Sequence, residues 1–396
     1  DRGLSVIQGR HVHRVHIVPT EAYDPTGAGD SFCGATLANL CRLQHPVLAA
    51  NNAVHIATLN VRHLGPSGLI GEVFGPRQIA SSRVVVNIDQ THNVARLLKA
   101  KKTTAPHTFT GAGQPTEGHP SALDFFFALT LQQFGFWEES NGRYQRPMIA
   151  EMDGKTMKGS DYLNSAYFRV LESDPGFFHF DRQANLSKEE LASVLEDDHG
   201  ICPMPALDLH LSEARAYGQD MLELGVTPSE ILRRAKKSNK PLDEFLRFLW
   251  QVGGYKDDPL QKKSALLAYI LVNRPERFLR PATGEALPPC IDYHLMRSAL
   301  RTGIVNVIDP GLRLQVIDRR QITNEDEYVI RSSVYEAIRM IVDVSGVDMV
   351  SVDQFFFQMR RGCPEMSEPE CERCILETVC ARDTRLFQPV IRTTYY

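Results

Sequence analysis

From residue 121 to residue 361, most of the chain repeats one pattern, in which apolar residues recur every three to four positions. This period places the apolar side chains on one face of an α-helix, and that face must be buried against other elements. Beyond this helical period, the segments contain no repeat unit of fixed length. The pattern predicts a mainly α domain whose helices cover residues 121–137, 160–172, 187–196, 209–224, 228–237, 241–252, 260–273, 292–302, 326–344 and 350–361.

The N-terminal part has a different pattern. The stretch LSVIQGRHVHRVHIVP alternates like two short strands, and helices are predicted from about Ser31 to Leu43 and from about Val47 to Val61. Residues 101–120 are rich in Thr, Pro and Gly and predict a loop. We therefore expect a multidomain chain with an α/β segment at 1–75, a linker and the start of a second domain at 76–120, and the mainly α domain at 121–396.

Composition narrows the possible functions. The 396 residues suffice for two or three domains, and 43% hydrophobic with 23% charged residues is typical of a folded globular protein. The formal net charge of −4 gives no general attraction to a polyanion, so binding of nucleic acid would need a local basic patch and a small or weakly charged substrate fits better. No apolar run spans a bilayer and the first residues lack a signal peptide, so we expect a cytoplasmic protein without a membrane partner. The sequence predicts no oligomeric state.

Four of the eight cysteines lie in one short stretch, CPEMSEPECERCILETVC. Cys363, Cys371, Cys374 and Cys380 are spaced C-x7-C-x2-C-x5-C, and four thiolates this close suit a tetrahedral zinc ion or a [4Fe–4S] cube. The loop 363–380 is therefore a predicted metal site. We expect a structural role, because four protein ligands leave no open position for a substrate.

A glycine-rich turn opens the first predicted helix, in DPTGAGDSFCGA. The backbone amides of Gly27, Ala28 and Gly29 can converge on a phosphate at a helix N-terminus. Asp30 is then placed to take a proton from an attacking hydroxyl. An ordinary strand-to-helix connection is the alternative.

The wider stretch DPTGAGDSFCGATLANL resembles the C-terminal signature of the ribokinase-like (PfkB) carbohydrate and nucleoside kinases, and NNAVHIATLNVRHLGPSG resembles the segment that follows it. The resemblance implies that Asp30 is the catalytic base, that residues 27–29 form the anion hole, and that Asn51 or Asn52 lies near the nucleotide. It also implies ATP and Mg²⁺ as cofactors of a complete kinase. Because it covers only 1–75, we expect a truncated kinase part that is inactive alone or serves as a scaffold.

The cysteine loop resembles the iron–sulfur loop of the endonuclease III and adenine glycosylase branch of the helix-hairpin-helix glycosylases, with one extra residue in its first gap. The resemblance favours [4Fe–4S] over zinc. Upstream, PPCIDYHLMRSALRTGIV resembles the segment that carries the essential aspartate of these enzymes, which corresponds to Asp292. A carboxylate there would stabilise the positive charge that forms on the sugar, or activate water. A helix N-cap is an alternative role that is compatible with catalysis.

Lys262 and Lys263 lie at a predicted helix start, where bifunctional DNA glycosylases carry a Schiff-base lysine. A surface lysine pair is the alternative. The Leu-Pro-Gly-Val-Gly hairpin that grips DNA in those enzymes is replaced by YKDDPLQ, whose two aspartates would repel a phosphate backbone. This departure argues against duplex DNA.

Short motifs from about Asp89 to Tyr396 resemble, in order, those of the queuosine 5′-phosphate N-glycosylases of the queuosine salvage family. They are ALDFFFALTLQQFGFW, KKSALLA, IDYHL, EDEYVIRSSVYEAIRMI and the terminal IRTTYY. The resemblance places Phe136 and Trp137 near the base and Asp353 at its polar edge. The family's motif arginine is His294 here, and the cysteine loop is foreign to typical members.

Physical chemistry is compatible with these roles. Aromatic rings such as Trp137 can stack on a planar base, and Lys262, Lys263 or Arg331 can hold a 5′-phosphate. Two alternatives remain: at least half of the side chains in the aromatic run belong to the hydrophobic core, and Arg331 can pair with Glu327 one helical turn earlier.

Three functions follow from the sequence. The first is an N-glycosidase that hydrolyses a 7-deazaguanine-type nucleoside 5′-monophosphate, which a fused kinase would supply. The second is a DNA base-excision glycosylase with a [4Fe–4S] cluster. The third is a metal-stabilised module that binds a nucleotide without turnover.

Overall fold

The structure is a computed structural model that describes residues 4–8, 11–15, 28–43, 49–50, 53–54, 57, 83–101, 107–111 and 113–396. The chain divides into two compact units, Asp1–Ser81 and Ser82–Tyr396. None of the helices in the described ranges is long and apolar enough to cross a membrane.

The first unit contains an antiparallel hairpin and a helix. Strand β1 (Leu4–Gln8) pairs with β2 (His11–Val15), as the alternating pattern predicts. Helix α1 (Ala28–Leu43) begins three residues earlier than expected. Most of the predicted helix 47–61 lies outside the described residues.

The second unit is a multi-helix domain with three small two-stranded sheets in its described part. Its helices match the predicted segments to within a few residues, except where noted below. They are α2 (Ile88–Ala100), α3 (Ala122–Leu131), α4 (Ser160–Ser173), α5 (Phe180–Ala184), α6 (Lys188–Val194), α7 (Leu207–Leu224), α8 (Pro228–Ala235), α9 (Pro241–Leu249), α10 (Lys262–Asn273), α11 (Tyr293–Thr302), α12 (Pro310–Ile317), α13 (Asn324–Ser345) and α14 (Met349–Met359).

The helix predicted at 121–137 is too long. It ends at Leu131, and the chain then turns through Gly135, whose φ of +75° suits glycine. Trp137 begins a strand instead of extending the helix. Helix α2, of 13 residues, and the shorter helices α5 and α12 were also not predicted.

Three antiparallel ribbons accompany the helices in the second unit. Strand β4 (Trp137–Ser140) pairs with β5 (Arg143–Pro147), and β6 (Ile149–Met152) pairs with β7 (Lys155–Lys158). The third ribbon pairs β3 (Val84–Val86) with β8 (Val305–Val307). The β4–β5 and β6–β7 ribbons join α3 to α4 and bring Trp137 and Lys158 to opposite ends of one connection.

The main hydrophobic core lies among helices α3 to α10 and includes Phe125, Phe126 and Phe127, which are all at most 1% exposed. The alternative that this aromatic run is core is therefore confirmed for these three residues. The site residues lie beside this core, on the starts of α10 and α11, on α13 and α14, and on the C-terminal segment.

Candidate functional site

Asp292 is the N-cap of helix α11. Its Oδ1 accepts hydrogen bonds from the backbone amides of His294 (2.8 Å) and Leu295 (3.0 Å). The side chain is half-buried, and both capping bonds use the same oxygen. The N-cap role is therefore confirmed, and Oδ2 is the oxygen that remains outside the cap for other chemistry.

A second carboxyl group, Asp353 of α14, lies in the electrostatic environment of Asp292. Burial, and then the charge of Asp292, raise the pKa of Asp353 well above its ordinary value, and Lys262 opposes this rise. Within the described part of the molecule, Asp353 Oδ1 is buried without a hydrogen-bond partner. Two adjacent carboxyl groups cannot both ionise easily, so the neutral form of Asp353 is favoured and can donate a hydrogen bond to a ligand.

Lys262 and Lys263 are buried, with exposures of 5% and 1%, so the alternative of a surface lysine pair is wrong. The Nζ of Lys262 donates to the backbone oxygen of Gln133 at 2.9 Å. The Nζ of Lys263 pairs with Glu213 Oε2 at 2.8 Å and lies 4.5 Å from the ring centre of Phe134. Burial lowers the pKa of Lys263 and Glu213 opposes this effect, so the lysine is held inside a closed ion pair.

Arg331 is fully buried on α13 and makes a two-pronged ion pair with Asp258, with N–O distances of 2.8 and 2.7 Å. Its Nε donates to the backbone oxygen of Ile291 at 3.0 Å. The predicted pairing with Glu327 is a longer contact of 3.8 Å. The sequence suggested that Arg331 presents a free guanidinium to a phosphate, but its guanidinium is occupied by these partners. Arg331 instead anchors the residue before Asp292 and thereby positions that carboxylate.

The second aspartate of YKDDPLQ, Asp258, has a structural role. Asp258 accepts from the backbone amides of Leu260 (2.9 Å) and Lys262 (2.7 Å) at the start of α10, and it holds Arg331. Sequence reasoning missed this role because the arginine lies 73 residues further along the chain.

We call the cavity beside Tyr293 the aromatic pocket. Its volume is about 10 Å³, so a planar base can enter only after the lining side chains move apart. Both predicted base-stacking residues line it, and Tyr293 directly follows Asp292 in the chain. Its lining residues are Phe136, Trp137, Tyr144, Tyr293, Gln388, Pro389, Val390, Ile391 and Tyr396.

Trp137 forms one wall of the aromatic pocket. Its ring is stacked on Tyr144, with centroids 5.4 Å apart, and the guanidinium of Arg392 lies 4.0 Å from the ring centre. Only 8% of the tryptophan is exposed. These contacts fix the ring in place and leave it less surface for stacking than the sequence suggested.

His294 is buried and does not carry a cation for substrate. Its Nδ1 lies 3.1 Å from Arg297 Nη2, and its ring meets Phe357 edge-to-face at 5.6 Å. Burial, and then the charge of Arg297, hold the pKa of His294 well below its ordinary value. The histidine is therefore a neutral hydrogen-bond acceptor for Arg297.

A second cavity, of about 30 Å³, is lined by Cys363, Cys371, Cys374 and Cys380. None of the described cysteines forms a disulfide. Across the described ranges, no three His, Cys, Asp or Glu side chains are arranged around one ion position. The four thiols thus surround a space and do not converge on one point.

Arg301 of α11, which sequence reasoning missed, ties this loop down. Its Nη1 donates to Cys363 Sγ (3.3 Å) and to the backbone oxygen of Pro364 (2.7 Å), and its Nε donates to Leu386 O (2.8 Å). Burial raises the pKa of Cys374 and of Cys380. The same helix therefore carries Asp292 at its start and contacts the cysteine loop near its end.

The predicted kinase residues are only partly described. Ala28, Gly29 and Asp30 form the first turn of α1. Gly27, Asn51 and Asn52 lie outside the described residues.

Comparison with known proteins supports the assignment of the N-terminal segment. Residues 1–70 match the model of the pfkB family of carbohydrate kinases, which confirms the resemblance for that part. A search of curated proteins finds no match to the chain.

Proposed function

We propose that the second unit is an N-glycosidase with a helix-hairpin-helix-glycosylase-like fold. Its substrate is a modified nucleoside 5′-monophosphate with a queuosine-like, 7-deazaguanine base. The observation that carries the proposal is Asp292, half-buried at a helix start, whose charge acts on the buried acid Asp353 and whose chain neighbour Tyr293 lines an aromatic pocket. The ordered motif resemblance to the queuosine salvage family supports the same substrate class.

The two carboxyl groups have different roles in this proposal. Cleavage of an N-glycosidic bond builds positive charge on the sugar, and the Asp292 carboxylate stabilises that charge or activates the attacking water. Asp353, whose neutral form is favoured, donates a hydrogen bond to the polar edge of the base. Because their environments differ, Asp292 acts as the anion and Asp353 acts as the hydrogen-bond donor.

The aromatic pocket supplies the binding energy for the base. Phe136 and Tyr293 offer ring surface to a planar heterocycle, while Trp137 forms a rigid wall. Because Tyr293 follows Asp292, a base in this pocket brings its sugar bond towards the carboxylate. Salvage of the free base is the biological purpose that fits this reaction.

We also propose that Cys363, Cys371, Cys374 and Cys380 hold a [4Fe–4S] cluster. The proposal is supported by the four thiols lining one cavity and by the resemblance of their spacing to an iron–sulfur loop. The cluster would supply structural stability, and zinc is the alternative. Chemical analysis of iron and sulfide in anaerobically purified protein decides between them.

The kinase segment fits the same salvage route. A ribokinase-type phosphotransferase, with ATP and Mg²⁺, makes a nucleoside 5′-monophosphate, and the glycosidase consumes it. Asp30 would be the base that accepts the proton of the sugar hydroxyl.

The test is anaerobic incubation of the protein with nucleosides and their 5′-monophosphates, including queuosine, with released base measured by mass spectrometry. Base released only from a monophosphate supports the proposal. Excision from damaged duplex DNA, with a borohydride-trapped adduct at Lys263, would instead support a repair glycosylase. Nucleotide binding without release would support a non-catalytic module.

A further inference from the structure

The proposed function needs a cationic site for the 5′-phosphate, and the cations predicted from sequence are already committed to internal partners. Lys263 and Arg331 are closed into buried ion pairs, and Lys262 donates to a backbone oxygen. A phosphate dianion needs cations that remain partly open to solvent and lie near both Asp292 and the aromatic pocket.

Lys158, the last residue of β7, meets these conditions. Its side chain is 39% exposed and pairs with the buried carboxylate of Glu365. Glu365 Oε2 accepts from Gln388 Nε2 at 3.3 Å, and Gln388 lines the aromatic pocket. A β-carbon at the adjacent Gly159 would lie 3.3 Å from Phe136, another pocket residue. Lys158 therefore extends from the edge of the pocket.

Arg360 approaches the same region from the C-terminal end of α14, the helix that carries Asp353. Its guanidinium carbon lies 4.1 Å from the ring centre of Phe357, and Phe357 contacts His294. The side chain is 18% exposed and lies 3.3 Å from both carboxylate oxygens of Asp161. Asp161 is 56% exposed and is three residues from Lys158, so one short segment borders both cations.

The charges of both residues reach the start of α11. Burial and the charge of Arg297 are the largest causes of the lowered pKa of His294, and Arg360 and Lys158 follow them. Arg360 also opposes the rise that burial causes in the pKa of Tyr293. Tyr293 and His294 directly follow Asp292 in the chain. Arg360 is thus connected through Phe357 to His294, two residues after Asp292.

We propose that Lys158 and Arg360 form a phosphate subsite for the monoester of the substrate. The proposal rests on the function proposed above and deepens it. Solvent-exposed ion pairs such as Arg360–Asp161 contribute little net stability, whereas charge-assisted hydrogen bonds to a phosphate are strong. The phosphate therefore displaces Asp161 from Arg360 and shares Lys158 with Glu365.

The test compares binding of 7-deazaguanosine 5′-monophosphate with binding of 7-deazaguanosine by titration calorimetry. The wild-type chain is expected to prefer the monophosphate, and Lys158→Gln and Arg360→Gln are each expected to reduce that preference about tenfold. Lys256→Gln is the matched control, because Lys256 is a 40% exposed lysine paired with Asp220. It should retain the wild-type preference.

Lys158→Gln leaves Glu365 without one partner, so Lys158→Gln combined with Glu365→Gln is measured as well. If neither folds, Arg360→Gln decides the outcome. An unchanged preference in the folded variants, or no preference in the wild type, overturns the subsite. If the preference depends on both cations but no base is released, the subsite stands and the glycosidase proposal fails.

Discussion

At the scale of single residues, the candidate site is held by buried charges that satisfy one another. Asp258, Arg331 and the backbone of Ile291 form one chain of contacts that ends next to Asp292. A buried ion pair contributes little net stability when intact, but loss of one partner leaves an uncompensated charge. Arg331 therefore acts on the site by positioning Asp292.

Replacement of Arg331 by Gln should lower the free energy of unfolding by about 3 kcal/mol or more, because Asp258 is left charged and buried. Urea unfolding followed by circular dichroism measures this change. Arg233→Gln, which breaks an exposed pair with Glu230, should cost less than about 1 kcal/mol. Similar small losses in both variants would contradict the claim that Arg331 and Asp258 form a buried ion pair in which each charge needs the other.

The carboxyl group of Glu327 gives a pH prediction. Burial raises its pKa from 4.5 to about 7, although Arg331 opposes this effect. A carboxyl group whose pKa is raised on folding stabilises the protein below its unfolded pKa, and this contribution is lost as the pH rises through the folded value. The relevant window therefore runs from about pH 4.5 to about pH 7.

Glu327→Gln should remove this part of the pH dependence. We expect the wild type to lose up to about 3 kcal/mol relative to the variant between pH 5 and pH 7.5. Urea titrations of both proteins at the two pH values test this. Parallel stability curves for wild type and variant would show that Glu327 does not titrate in this window.

At the scale of elements, the apolar periodicity of the sequence predicted the helices well. It did not predict which elements pack against one another. Helices α4, α7 and α11 begin within two residues of the predicted starts, because their apolar stripes are long. The β4–β5 and β6–β7 ribbons were missed because each strand has only four or five residues, many of them charged. Such strands carry little alternation to detect.

The close packing of α7 against α5 depends on one residue, Gly218. A β-carbon there would lie 2.2 Å from the backbone nitrogen of Ala184, so α7 can approach α5 only with glycine at this position. Gly218→Ala should destabilise the second unit by about 3 kcal/mol or prevent its folding. Gly176→Ala, whose β-carbon would meet Asp174 at 3.5 Å, is the control and should change the melting temperature much less.

The contact between α11 and the cysteine loop gives a prediction about the proposed cluster. Arg301→Met removes the donor to Cys363 and Pro364, and hydrogen bonds to sulfur and anchoring of the loop both stabilise such a site. We expect a lower iron and sulfide content per chain after exposure to a chelator. Arg385→Met is the control, because Arg385 is a 71% exposed arginine that pairs with Asp383 and does not line the cysteine cavity. Equal retention of iron in both variants would contradict this role.

At the scale of the whole molecule, sequence established the mainly α second unit and the kinase-like segment, but not how the site is assembled. Lys263 and Glu213 are 50 residues apart, and Lys158 and Glu365 are more than 200 apart. Local sequence patterns carry no information about such distant pairs. The adjacent lysines 262 and 263 therefore suggested free cations, although the fold binds both of them to internal partners. Asp292 was identifiable because a helix start and its cap are local features.

The most direct test of the account compares base release by the wild type, Asp292→Asn and Asp309→Asn. Asp309 caps α12 by accepting from the amide of Leu312 at 2.7 Å, so its replacement is a matched change at another helix start. With a queuosine 5′-monophosphate substrate, we expect Asp292→Asn to reduce the rate at least about a hundredfold and Asp309→Asn to leave it close to wild type. Full hydrolysis by Asp292→Asn would contradict the central claim that this carboxylate performs the chemistry.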